Sequence, residues 1–279
     1  MLIVDEVKVF NFEGAFRGLR NPKDSWHLSD SKWAQPNVCH YPDSHKISKC
    51  EDCPCFNGWG EECFDYIGPK DMFLAQLMVG AGTDEAKFMR QIFITMDITA
   101  PLYWWKEFDT YKVGTVANSC STMHKLDSKP ITKEMFSWDN VGEVDDAFWE
   151  TVDIIVRECE SLRLLYKKTG DKAYWRALVQ LLPNAWMQKR TVTLNYQVAR
   201  AMYFARHNHK LTEWHTLCDT FENLPYGKEL ICYVKPKKLD AMSKMLLKEL
   251  GIPYVDENAK ELNYDVIWEI VKEKFGGEE

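Results

Sequence analysis

The sequence has no surplus of positive charge: 35 lysines and arginines stand against 42 aspartates and glutamates, a formal net charge of −7. A chain of that sign carries no general field for duplex nucleic acid, although a local basic pocket for a nucleotide phosphate stays open to it. It also lacks any apolar run approaching the length of a membrane span, and the opening MLIVDEVKVFNF is too short in its apolar part and too acidic for a secretory signal. A cytoplasmic protein without membrane contact is the expectation. A second matched cysteine knuckle is missing as well. Nine cysteines, an odd number, are ordinary in a reducing compartment, and Cys50, Cys53, Cys55 and Cys63 crowd one segment in which only Cys50-x-x-Cys53 has knuckle spacing. These four thiolates, or three with an imidazole from His40 or His45, could close a tetrahedral zinc site. Reduced or loosely paired thiols are the alternative, and an iron-sulfur cluster is the third.

What is present is enough for a sizeable core: 46% of the 279 residues are hydrophobic and 13% aromatic. The 11 tryptophans exceed what packing usually asks for and make a flat ring ligand a reasonable expectation. Leu2 to Phe10 alternates as a first strand, Phe12 to Arg20 suits one or two helical turns, and Asn21-Pro22 ends them. From Lys23 to Gly68 no period is sustained, over a length too great for a plain connection. Pro69 opens a helix closed by Gly80-Ala81-Gly82. Lys87 to Ile98 predicts a strand with Ile92, Ile94, Met96 and Ile98 on one face, and Pro101 opens an aromatic-rich helix. Asp145 to Lys168 predicts a long helix stopped by Gly170, with Arg157, Glu158, Glu160 and Arg163 on a solvated face. A shorter helix follows over Asp171 to Leu182, and another from Thr212 to Phe221. Beyond Pro225, Leu230 to Val234 suggests a strand, with amphipathic helices over Pro236 to Leu250 and Tyr264 to Phe275.

Two stretches carry the interpretable chemistry. Trp186 to Leu194 alternates as a strand, and Asn195 then stands as an N-cap before YQVARAMYFARH, whose Val198, Ala201, Met202 and Ala205 would form the packed face. A capped helix start following a strand, with Arg200 and Arg206 further on, can receive an anion or the polar edge of a cofactor. An ordinary strand-helix unit with solvated arginines has the same pattern. The second stretch, Val113 to Lys125, is rich in small hydroxyl residues, with Asn118, Ser119, Ser121, Thr122 and His124. That density lets a ligand approach backbone and hydroxyls closely, or simply makes turns. Cys120 lies among them without a histidine partner fixed by sequence, a weak nucleophile candidate.

Taken together, LLYKKTGDKAYWRALVQLLP, TVTLNYQVARAMYFARHNHKLTEW and the upstream KFMRQIFITMDITAPLYWWKEFDTYKVGTVANSCSTMHK resemble the flavin-dependent thymidylate synthases, particularly divergent members associated with phages or gut bacteria. The likeness covers roughly residues 2–225. It implies an α+β fold with an antiparallel sheet core and long helices over 1–225, a Cys-rich insertion at about 23–68, and a C-terminal helical extension over 226–279. The implied reaction is reductive methylation of dUMP to dTMP, with the carbon from methylene-tetrahydrofolate and the hydride from NADPH through FAD, in a homotetramer.

Residue by residue, Asn195 matches a flavin-contacting asparagine and Arg206 an arginine that grips the nucleotide. Asn118 and Ser121 match the Asn-x-x-Ser part of an Asn-Glu-x-Ser-x-Arg loop. The substrate set implied in this way is Arg206, Ser121, Thr122 and Arg176, and the cofactor set Asn118, Asn195, Gln197, Thr115 and Lys112. The sequence departs from the family where Tyr111 to Val116 reads YKVGTV in place of Arg-His-Arg-x-x-Ser. It departs again at Ser119 and Met123, which replace a glutamate and an arginine, and at Gln197, which replaces a flavin-binding arginine. The phosphates must then be met by other cations, for which Lys106, Lys112, Lys125, Arg190 and Arg200 are the candidates. A related pyrimidine-nucleotide modification, or a nucleotide-binding homologue without catalysis, are the other functions this pattern admits.

Overall fold

A computed structural model describes residues 1–33, 65–121, 126–139 and 141–235. Cys50, Cys53, Cys55 and Cys63, the Thr122 to Lys125 part of the hydroxyl-rich loop and the two C-terminal helices of the sequence reading lie outside the described residues. The elements are β1 (Ile3–Phe10), α1 (Phe12–Arg20), α2 (Pro69–Ala81), β2 (Phe93–Pro101), α3 (Leu102–Phe108), β3 (Val116–Ser119), α4 (Asp146–Thr169), α5 (Lys172–Leu181), β4 (Met187–Asn195), α6 (Tyr196–Arg206) and α7 (Thr212–Glu222). The strands form one sheet in the order β1-β2-β4-β3. Strand β3 runs antiparallel to β4, with Asn118 opposite Thr191 and Ser119 opposite Arg190. Thr95 meets Thr193 and Asp97 meets Thr191, so numbers rise along β2 as they fall along β4, and this pair is antiparallel too.

The chain divides into two compact units. The first comprises Met1–Val7, Thr95–Thr193 and Asn208–Leu217. Its core stacks Trp104 on Phe108 at 5.2 Å and brings Trp104 to Trp214 at 4.8 Å. A second cluster there joins Leu126, Ile131 and Phe136 to Cys159 of α4 and Leu178 of α5. Helix α4 begins where the Asp145 carboxylate accepts from the Phe148 N–H, and it stops at Gly170, whose φ of 71° is a left-handed conformation that favours glycine.

The second unit comprises Lys8–Ile94, Leu194–His207 and Cys218–Glu279. Phe12 meets both Tyr196 and Tyr226 edge-on at 5.6 Å, and Phe16 meets Phe88 at 5.7 Å. Arg20 and Asp71 pair at 2.5 Å almost out of solvent, the carboxylate also accepting from Ser29 and Ser31. A buried pair with its remaining lone pairs satisfied is the only kind that burial tolerates well.

The local reading holds for most elements and fails at five places. Lys87 to Gln91 is not strand: Glu85–Gln91 winds as a 3-10 helix that buries Ala86, Phe88 and Met89, and β2 starts at Phe93. The buried face of β2 is Ile94, Met96, Ile98 and Ala100, all fully enclosed, as its alternation predicts. Val116–Ser119 forms an exposed edge strand because β4 supplies its hydrogen-bond partners. In α6 the packed residues are Tyr196, Ala199 and Met202, while Ala201 and Ala205 are exposed; the Tyr196 N–H bond to the Ile92 carbonyl fixes the phase that turns Tyr196 inward. Arg163 is 5% exposed, not solvated, because Glu160 at 2.6 Å and the Asp127 carbonyl satisfy it. Gly227–Ile231 coils into a π turn where a strand was expected over Leu230 to Val234.

Candidate functional site

In the first unit, alternation along β4 sends Lys189, Thr191 and Thr193 to one side of the sheet and Gln188, Arg190 and Val192 to the other. On the first side, Thr191 donates to Asp97 at 2.6 Å and Lys189 reaches Asp97 at 2.9 Å and Asp5 at 3.2 Å. The Thr191 hydrogen bond, and then Lys189, hold the Asp97 carboxyl below its usual range. Asn118, opposite Thr191, projects to this side.

On the other side, Gln188 is a bracket. Only 8% exposed, it donates from Nε2 to the Cys120 carbonyl at 3.0 Å and accepts at Oε1 from Arg190 Nε at 2.9 Å. Its backbone carbonyl takes the Trp105 indole N–H at 3.0 Å. The Arg190 guanidinium lies 4.1 Å from the Trp105 ring centre and pairs from Nη1 with Asp109 at 2.7 Å. The Cys120 N–H bonds to the Lys189 carbonyl at 2.8 Å, so the turn after β3 is tied to β4 twice.

The loop before β3 bends at Gly114, whose φ is 81°, and Thr115 spends its hydroxyl proton on the Tyr111 carbonyl. Lys112 and Asn118 are exposed and Ser121 is partly buried. Arg176 is exposed on α5 with no polar partner among the described residues. Thr122 lies outside the described residues.

In the second unit, the Asn195 side chain accepts from the Val198 N–H at 3.0 Å, the cap the sequence predicts. Its oxygen is thereby used, and its amide donor has no partner among the described residues. Gln197 accepts at Oε1 from Arg90 Nε at 2.5 Å and donates to the Thr83 carbonyl at 3.3 Å. Arg90 is exposed, and its two terminal nitrogens face no partner among the described residues. Arg200 is spent elsewhere: Nη1 donates to the carbonyls of Leu230 at 3.3 Å, Ile231 at 2.9 Å and Tyr233 at 2.6 Å, and burial lowers its pKa. That removes it from the candidate phosphate cations. Arg206 sits half-buried in the last turn of α6.

Sequence reasoning missed Arg90, Asp97, Trp105, Asp109 and Gln188 as parts of these arrangements. Only Gln188 carried a signal, as an amide at a buried position of an alternating strand. Burial raises the Cys159 thiol to about 11 and the Cys218 thiol to about 12, leaving both inert near neutrality. Among the described residues no group of three or more metal-ligating side chains could hold an ion, and no helix is long and apolar enough to cross a membrane.

No protein-family model and no curated protein matches the sequence. Solved structures do match in shape, among them two of thymidylate synthase X from Helicobacter pylori with FAD and dUMP. Each has 14% identity and a TM-score of 0.53 over 82% of this chain, covering 95% of the one and 96% of the other. The chain thus combines helices with an antiparallel sheet in a fold shared with flavin-dependent thymidylate synthase.

Proposed function

We propose that the protein is a flavin-dependent enzyme that reductively methylates dUMP to dTMP, with methylene-tetrahydrofolate and NADPH as co-substrates and FAD as cofactor. The observation that carries this reading is the Arg90–Gln197 pair. The resemblance asks for an arginine at position 197; here a glutamine accepts the guanidinium of Arg90, so a cation stands beside the helix start after all. The Asn195 amide supplies a donor at the same helix start. These residues fit the polar edge of a flavin and an attached phosphate; Lys112 and Asn118, both exposed, are further cofactor contacts that the resemblance alone assigns.

When bound, FAD would supply the hydride that turns a transferred one-carbon unit into a methyl group. The protein's own part is to hold and polarise: Asn195 donates to the ring edge, Arg90 meets negative charge, and the resemblance assigns a nucleotide contact to Arg206 and, separately, to Ser121 and Thr122. Arg176 belongs to the same substrate set. No protein nucleophile is needed for this chemistry.

Rescue of a thymidine-requiring bacterial strain that lacks its own synthase tests the proposal. Growth without thymidine is expected, and an Arg90→Ala variant should grow poorly. A well-expressed, folded protein that gives no growth counts against dUMP methylation. Product mass then separates methylation from another pyrimidine modification. Assembly as a homotetramer predicts a solution mass four times the 32.7 kDa of one chain.

A further inference from the structure

The chain's loop has none of the arginines that a nucleotide phosphate would be expected to meet, and Arg200 is occupied by backbone carbonyls. We infer that Arg190 is the phosphate-binding residue, and that Asp109 is a stand-in counter-ion which the phosphate replaces. The inference rests on the proposed function and adds to it a residue that the resemblance does not assign.

Register comes first. Ser119 and Arg190 are Cα partners in an antiparallel pair, so their side chains leave the sheet on the same side and lie next to each other. The Gln188 amide holds the Cys120 carbonyl, which keeps the hydroxyl-bearing turn Ser119 to Ser121 beside this strand end.

Preorganisation is the second point. Stacking on Trp105 at 4.1 Å and the Nε bond to Gln188 fix the plane of the guanidinium before any ligand arrives. The outward edge, Nη1 and Nη2, remains for recognition. Nη2 has no hydrogen-bond partner among the described residues, and Nη1 is held by Asp109 alone.

The third point is the asymmetry of the ion pair. The Arg190 side chain is 15% exposed and that of Asp109 48% exposed. A largely buried guanidinium needs a counter-charge, whereas a half-exposed carboxylate regains its hydration easily when it turns away. A phosphate can meet Nη1 and Nη2 together and carries up to two negative charges, whereas Asp109 reaches Nη1 alone.

The exchange is tested by calorimetric titration of the full-length protein and its variants with dUMP and with deoxyuridine, which lacks the phosphate. Arg190→Gln should weaken dUMP about 10- to 100-fold and leave deoxyuridine unchanged. Arg190→Lys, which keeps the charge without the planar fork, should fall between. Asp109→Asn should tighten dUMP several-fold, because the competitor is gone. Near-UV circular dichroism of the tryptophans checks that each variant is folded. Equal dUMP affinity in Arg190→Gln and the unaltered protein overturns the inference while leaving the proposed function standing. Parallel loss of dUMP and deoxyuridine overturns it in favour of a structural arginine, and weaker dUMP binding in Asp109→Asn overturns the exchange. An unaltered protein that binds neither ligand overturns the proposed function and this assignment with it.

Discussion

Arg90 donates from Nε to Gln197 Oε1 at 2.5 Å across 107 positions of sequence. One residue lies in the last turn of a 3-10 stretch before β2, and the other in the first turn of α6. A glutamine at a position expected to carry a cation thus acts as a holder for an arginine from elsewhere. If this pair meets a flavin phosphate, Arg90→Ala should weaken FAD binding about 10-fold or more, a typical loss for a charge-assisted contact. Exchanging the pair as Arg90→Gln with Gln197→Arg should recover most of it. Titration of flavin fluorescence measures both, and an Arg90→Ala protein with undiminished FAD affinity removes the support that this pair gives.

Asn195 caps α6, and substitution can separate that role from its proposed flavin contact. Its oxygen caps α6, so Asn195→Ala should cost about 1 kcal/mol in denaturant unfolding. Asn195→Asp keeps a capping oxygen but has no amide donor, and should leave stability near that of the unaltered protein while weakening flavin binding. Equal flavin affinity in the aspartate variant would assign Asn195 to helix capping alone.

Arg206, half-buried in the last turn of α6, is the proposed grip on the nucleotide. Arg206→Ala should reduce dUMP affinity about 10- to 100-fold. Affinity that stays the same in a folded variant would show that the resemblance misassigns this residue.

Much of this was legible in the sequence wherever the cause is local. Strand β4 alternates, Asn195 is a capping type before a helical period, and Gly170 is the expected stop for a long amphipathic helix. The failures have tertiary causes. Val116–Ser119 has four exposed residues and no alternation to announce it, and becomes a strand only through its pairing with β4. Phe88 and Met89 are drawn into the core as neighbours, which breaks the period-two pattern expected over Lys87 to Gln91. The orientation of α6 depends on one backbone bond from Tyr196 to Ile92. The candidate site residues divide the same way: the capping role of Asn195 could be named from its neighbours in sequence, whereas Arg90 and Asp109 enter only through partners far along the chain.

Acid should expose the Glu160–Arg163 pair. The Arg163 hydrogen bonds, together with the Ile131 N–H, hold the Glu160 carboxyl below its ordinary value. A depressed folded-state pKa gives stability that is fully present above the unfolded value, about 4.3 for glutamate, and is lost as pH falls through the folded value. Glu160→Gln should therefore lower Tm at pH 7 and flatten its decline from pH 5 downward. A parallel shift of the whole Tm profile would show that this carboxylate does not contribute to the acid limb.

The most direct measurement is to add FAD to the purified full-length protein, remove what is unbound, and incubate the complex with NADPH, methylene-tetrahydrofolate and dUMP. The account predicts a yellow protein with an oxidised-flavin spectrum, bleaching with NADPH, and a product with the mass of dTMP. A folded protein that remains colourless after FAD addition and yields no dTMP would contradict it.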